Sequence, residues 1–227
     1  VNPAAAAGER PRPGLDQRWR QLFFLLVVRP VLALVIGLNV RGAEHLPRRG
    51  PALVLANHNS HLDVFVLLCL FPIALLPELR AVAAADYFLA NPALAWFSRR
   101  VVGILPIDRQ VRPGHQDPLL PVEQALDRGR IVILFPEGTR GEPETPSPLK
   151  SGVAHLVRRR PSLPCIPVFL HGLGKALPRG EALLVPFFCD VVVGEPFGWG
   201  GDRRGFMAEL RQRMDALAAE LTPPEWE

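Results

Sequence analysis

Apolar residues in this chain fall into short blocks of two kinds. Ala52–Ala56 (ALVLA), Gly103–Ile107, Ile131–Phe135 (IVILF) and Ile166–Leu170 (IPVFL) are compact runs with Pro, Gly, Asn or Asp close to their ends. Runs of this length and bounding predict strands buried on both faces. Between them, Val64–Leu70, Leu89–Val101, Leu119–Arg128, Gly152–Arg160 and Phe206–Leu221 read as helices, the third closed by Gly129. Ala182–Val185 and Asp190–Val193 predict a further strand pair around Pro186. Strands alternating with helices predict an α/β fold with a mostly parallel central sheet covered by helices.

The most apolar stretch, Leu22–Leu38 (LFFLLVVRPVLALVIGL), precedes this pattern. Arg29-Pro30 divides it, and each half is shorter than the roughly 20 residues a bilayer crossing needs. Arg29 at mid-depth would cost roughly 2.5–3.5 kcal/mol, and Pro30 removes a helical N–H. The segment therefore predicts one or two short helices lying in a membrane interface, with arginines at headgroup level and Arg18, Arg20 and Arg41 flanking it. A buried helical hairpin and a signal peptide are the alternatives. The chain divides into a mobile arm (1–14), a membrane-associating helical segment (15–41) and a main domain (42–227).

Composition narrows the class. The chain has 227 residues with 48% hydrophobic and 21% charged positions, which supports a normal core and excludes wholesale disorder. A net charge of +4 and a pI near 9.5 favour an anionic partner. Cys69, Cys165 and Cys189 lie far apart with no CxxC pair, so they predict core thiols in a reducing compartment. No nucleic-acid-binding motif is present.

Chemistry concentrates where predicted strands end. Asn57-His58-Asn59-Ser60-His61-Leu62-Asp63 directly follows a strand, the position where α/β folds carry ligands. With His58 on the loop and Asp63 in the first helical turn, the carboxylate would fix one imidazole nitrogen and raise the basicity of the other, making His58 a general base. His61 is a competing base at a poorer spacing. A metal site built from His58, His61 and Asp63 lacks the glutamate of the HExxH pattern, since Asn59 stands there. Two other strand ends, Pro106-Ile107-Asp108-Arg109 and Phe135-Pro136-Glu137-Gly138-Thr139-Arg140, each deliver an arginine suited to phosphate. Glu137 could bind a substrate hydroxyl or orient an arginine. Lys150-Ser151-Gly152 opens a helix where a cation suits an anion.

Taken in order, N-H-x4-D, the block from Gly103 to Arg109, F-P-E-G-T-R and the Ile166–Val168 strand resemble the glycerolipid acyltransferase family, typified by lysophosphatidic acid acyltransferases. The resemblance covers roughly Val40–Val193. It implies that His58 and Asp63 are the catalytic pair and that Gly103, Arg109, Glu137, Gly138, Thr139, Arg140 and Lys150 belong to the acceptor site. It implies acyl transfer from acyl-CoA or acyl carrier protein to the free hydroxyl of a lysophospholipid, most readily 1-acyl-glycerol-3-phosphate giving phosphatidic acid. Neither metal nor cofactor is required, and the enzyme would work on membrane lipids at the cytoplasmic face of the cell membrane. Gly141 departs from the serine often found after the third block. That leaves a lyso amino-lipid acceptor open, alongside an acyl-thioester hydrolase and a non-catalytic lipid-binding protein.

Overall fold

The structure, a computed structural model, describes residues 14–85, 91–108, 117–139, 147–176 and 187–221. Seven strands form one sheet: β1 (Ile36–Arg41), β2 (Ala52–Ala56), β3 (Leu79–Ala84), β4 (Ile104–Ile107), β5 (Ile131–Leu134), β6 (Cys165–His171) and β7 (Phe187–Val193). Their order is β1-β7-β6-β2-β5-β3-β4. Every pairing is parallel except β6 with β7. The mostly parallel α/β architecture is thus as expected.

β2 explains the continuous apolar runs. It lies between β5 and β6, and all five of its residues are buried. Leu53 and Leu55 enter one core, and Ala52, Val54 and Ala56 enter the other. Helices α1 (Leu15–Phe23), α2 (Arg29–Val35) and α3 (Leu62–Cys69) contribute to the latter core; α4 (Pro92–Phe97) packs Phe97 against it. Helices α5 (Leu120–Asp127), α6 (Gly152–Arg158) and α8 (Arg203–Ala219) cover the opposite face. A short helix, α7 (Leu173–Ala176), follows β6.

The N-terminal apolar segment differs from its expected form. Arg29-Pro30 does not split it. A π-helical turn, Phe24–Val28, joins α1 to α2 without a break, and the Arg29 N–H reaches back to the Phe24 carbonyl. Widening the helix just before Pro30 absorbs the strain of a residue that cannot donate. The segment then ends in β1, which pairs in parallel with β7, so residues 36–41 are sheet rather than membrane-associating helix. β7 pairs with β1 and β6; Ala182–Val185, the expected hairpin partner, lies outside the described residues, as do residues 1–13 of the expected arm 1–14.

The arginines differ too. Arg20 is buried, not at headgroup level. Its guanidinium donates to the carbonyls of Leu76, Leu79, Val101 and Val102. Burial, with Arg80 nearby, lowers its pKa to about 9, so it stays charged at neutral pH. Among the described residues, no helix is long and apolar enough to cross a membrane.

Candidate active site

Parallel strands point their carboxyl ends one way, and β2 and β5 place two of the sequence blocks side by side there. The Asn57 side chain extends the ladder beyond β2. Its amide donates to the Leu170 carbonyl at 2.8 Å and accepts the Leu170 N–H at 2.7 Å. This ties the strand end to β6 before the chain turns into His58.

Asp63 sits in the first turn of α3, fully buried. One carboxylate oxygen, Oδ2, meets His58 Nδ1 at 2.8 Å and accepts the N–H groups of Asn59 and Ser60 at 2.6 and 2.8 Å. The loop therefore wraps around the carboxylate, and the contact between positions 58 and 63 follows. With Nδ1 engaged, Nε2 is the nitrogen left for the cavity. The His58 ring stacks on Phe135 at a centroid distance of 4.1 Å, fixing its plane.

His58 opens onto a cavity of about 610 Å³. Its walls are apolar, from Phe65 on α3, Val82–Ala84 on β3, and Leu94 and Phe97 on α4. Its polar lining residues besides His58 are His61, Ser98, Thr139 and Lys150. Gly138 also lines it, in a left-handed conformation at φ 74°. A Cβ there would lie 2.7–2.9 Å from the Lys150 side chain, so the glycine lets the lysine cross the turn.

Glu137, expected to bind a substrate hydroxyl or orient an arginine, precedes Gly138 in the same turn. It is 6% exposed, and its carboxylate accepts the backbone N–H groups of His58 and Ser147. Ser147 is held in turn through its carbonyl by Arg211 of α8, at 3.1 Å. Glu137 thus braces the His58 loop against the turn after β5. Burial pushes its carboxyl up to about 7, against the opposing pull of those amides and Arg211 and reinforced by Asp63.

A carboxyl raised by folding binds a proton that the unfolded chain has already released. Its stabilising contribution is complete below about pH 4.5 and is lost as pH rises through about 7. Glu137→Gln should therefore gain stability over the parent near pH 8, by at most about 3 kcal/mol. That gain should vanish near pH 4.5. Urea denaturation at both pH values measures it, and a difference independent of pH would contradict it.

Gly103 lies between Val102 and Ile104, which both line the cavity. It ends the π-helical turn Ser98–Val102 at φ 79°, and a Cβ there would come within 2.5–2.9 Å of the Arg20 guanidinium. It packs directly on the Arg20 guanidinium. Arg109 and Arg140 lie outside the described residues. The thiols are remote from this chemistry: Cys165 and Cys189 are buried, and burial raises Cys165 to about 12.

Residues 37–171 match the acyltransferase family. The chain belongs to that family. Over 160 residues it is 28% identical to the chloroplastic 1-acyl-sn-glycerol-3-phosphate acyltransferase BAT2 of Brassica napus, spanning 70% of this chain and 44% of that protein. Over 179 residues it is 30% identical to 1-acyl-sn-glycerol-3-phosphate acyltransferase alpha of Mus musculus, spanning 78% of this chain and 60% of that protein. The chain thus spans less than half the length of the plant relative. The crystal structure of PlsC, the 1-acyl-sn-glycerophosphate acyltransferase of Thermotoga maritima, superposes with a TM-score of 0.70 at 20% identity, over 91% of this chain and 80% of that one. At that identity the likeness establishes the shared fold.

Three features of this acyltransferase-family site escaped sequence reasoning. Asn57 as a ladder extension and Phe135 as the stacking partner of His58 lay within motifs already noted, but their contacts cross between strands. β3, which supplies part of the cavity wall, reads in sequence as a short alanine-rich run without a strong strand signal.

Proposed function

We propose that this chain transfers a fatty acyl group from a thioester, acyl-CoA or acyl carrier protein, to the free hydroxyl of 1-acyl-glycerol-3-phosphate, giving phosphatidic acid. The observation that carries the proposal is the His58–Asp63 pair, 2.8 Å apart, with His58 and Lys150 both lining one large, mostly apolar cavity. The family membership and the activities for which the relatives are named support the same reading.

In this reading, His58 Nε2 takes the proton of the acceptor hydroxyl. The oxygen attacks the thioester carbonyl, the carbon–sulfur bond breaks, and the imidazolium returns the proton to the leaving thiolate. Asp63 holds the ring and favours its charged form. Lys150, with Arg109 and Arg140, meets the acceptor phosphate. The apolar cavity takes an acyl chain. No nucleophilic side chain, metal or cofactor enters the sequence of steps.

The reaction is assigned to a membrane surface at the cytoplasmic face, where acyl thioesters and reduced thiols occur. The outer side of the N-terminal helix supports this: Trp19 and Leu34 are 70% and 86% exposed, and Leu15, Leu22, Leu25, Leu26, Val27 and Val31 are exposed as well. A contiguous apolar face of this kind marks an interaction surface.

The test incubates the protein with a long-chain acyl-CoA, with and without 1-acyl-glycerol-3-phosphate, and follows free thiol. Acceptor-dependent release is expected, with phosphatidic acid as product. Equal release without acceptor would instead identify a thioester hydrolase. Vesicle binding without any thiol release would identify a lipid-binding protein.

A further inference from the structure

A second apolar groove lies apart from the catalytic cavity and shares no lining residue with it. It has a volume of about 480 Å³ and runs between α2 and α3, within the size range of small-molecule sites. α3 separates the two. It presents Val64 and Phe65 to the catalytic cavity and Val66 and Cys69 to the groove, which Leu70 at its C-cap also lines. Leu32 and Ile36 form the facing wall.

The groove wall carries one charge, Arg29. Its Nη2 donates to the Phe71 carbonyl at 2.7 Å and, more weakly, to that of Cys69 at 3.5 Å, which pins the guanidinium in place. Among the described residues no carboxylate pairs with it. Two further lining residues, Ala33 and Leu38, are exposed, so the groove opens to solvent. A fixed cation in the wall of an otherwise apolar groove is complementary to a lipid with an anionic head and a hydrocarbon tail.

We propose that this groove is a second lipid site, distinct from the catalytic one, in which Arg29 holds the phosphate of an anionic bilayer phospholipid while an acyl tail lies along Leu32 and Ile36. A phosphatidylcholine head carries its own cation and lacks the net charge that Arg29 is placed to meet. The site would make docking selective for anionic membrane. It rests on the membrane-surface reading of the N-terminal helix.

Cys69 supplies a readout independent of turnover. It lines the groove and is half-buried, whereas Cys165 and Cys189 are buried. The full chain is bound to phosphatidylcholine vesicles, or to the same vesicles doped with phosphatidylglycerol or with oleate, at matched bound fractions measured by flotation. Maleimide alkylation of Cys69 is then timed by mass spectrometry. Phosphatidylglycerol should slow alkylation at least about fivefold relative to phosphatidylcholine, since occupancy protects in proportion to bound lipid. Arg29→Gln should reduce that difference below about twofold, and Arg29→Lys should retain most of it.

Equal protection by all vesicles would overturn the proposal and leave Arg29 as a cap on the end of α3. Protection by oleate alone would overturn it in favour of a fatty-acid site. An unchanged phosphatidylglycerol effect in Arg29→Gln would overturn the assigned headgroup contact. Failure to bind any vesicle would remove the membrane reading together with this site, whereas binding to phosphatidylglycerol vesicles without protection removes this site alone.

Discussion

His58→Ala is expected to lower acceptor-dependent thiol release by about 10²–10⁴-fold, the range contributed by a positioned general base. The protein should remain folded. Asp63 would lose one donor but keep the backbone N–H groups of Asn59 and Ser60 on the same oxygen. The loop is therefore held by its own backbone, and the imidazole can be deleted without releasing it. Asp63→Asn should also slow turnover, by about 10-fold or more, because a neutral amide no longer stabilises the imidazolium formed during proton transfer. Both variants should bind vesicles as the parent does, since neither residue lies on the exposed helix face. Steady-state thiol release with circular dichroism as a fold control checks this. Parent-like turnover in His58→Ala would remove the imidazole from the mechanism.

The largest effect on stability is expected at Arg20, far from the chemistry. Its guanidinium satisfies carbonyls on two separate segments, Leu76 and Leu79 on one side and Val101 and Val102 on the other. Arg20→Met keeps an apolar stem but leaves those carbonyls without their charged donor, and should cost about 3 kcal/mol or more. Gly103→Ala attacks the same contact from the other side, through a Cβ within 2.5–2.9 Å of the guanidinium at φ 79°. Displacement plus backbone strain should cost roughly 2–4 kcal/mol. Once the guanidinium is gone, only the strain remains. The double variant should therefore lose at least about 1 kcal/mol less than the sum of the two single losses. Urea denaturation measures all three, and simple additivity would show that Gly103 and Arg20 do not depend on one another.

The contact between Gly103 and the Arg20 guanidinium is not legible in the sequence. The family resemblance implied only a place for Gly103 in the acceptor site. What requires glycine there is a left-handed cap and a guanidinium arriving from position 20, and no local pattern links residues so far apart. The contacts of Glu137 are hidden for the same reason. An acidic residue in a loop beside arginines reads as binding a substrate hydroxyl or orienting an arginine, and nothing local shows that its carboxylate meets the His58 and Ser147 amides. The N-terminal segment was misjudged on more local grounds. Proline normally breaks a helix, but a π-helical turn placed just before it carried the helix through.

Much of the rest was present in the chain itself. Five-residue apolar runs too short for helices, separated by amphipathic stretches, required strands alternating with helices, because only a sheet covered on both faces buries both sides of such runs. The His58–Asp63 contact was also local: a carboxylate at the start of a helix collects the free N–H groups of the preceding loop, and the loop carries the histidine to it. Tertiary structure alone decided which side chains met across strands. It set Phe135 beneath His58, Glu137 on the His58 backbone, Lys150 over Gly138, and two separate apolar spaces on either side of α3. Strand order determines those meetings, and strand order comes from long-range pairing whose energy is spread over the whole sheet rather than written in any one segment.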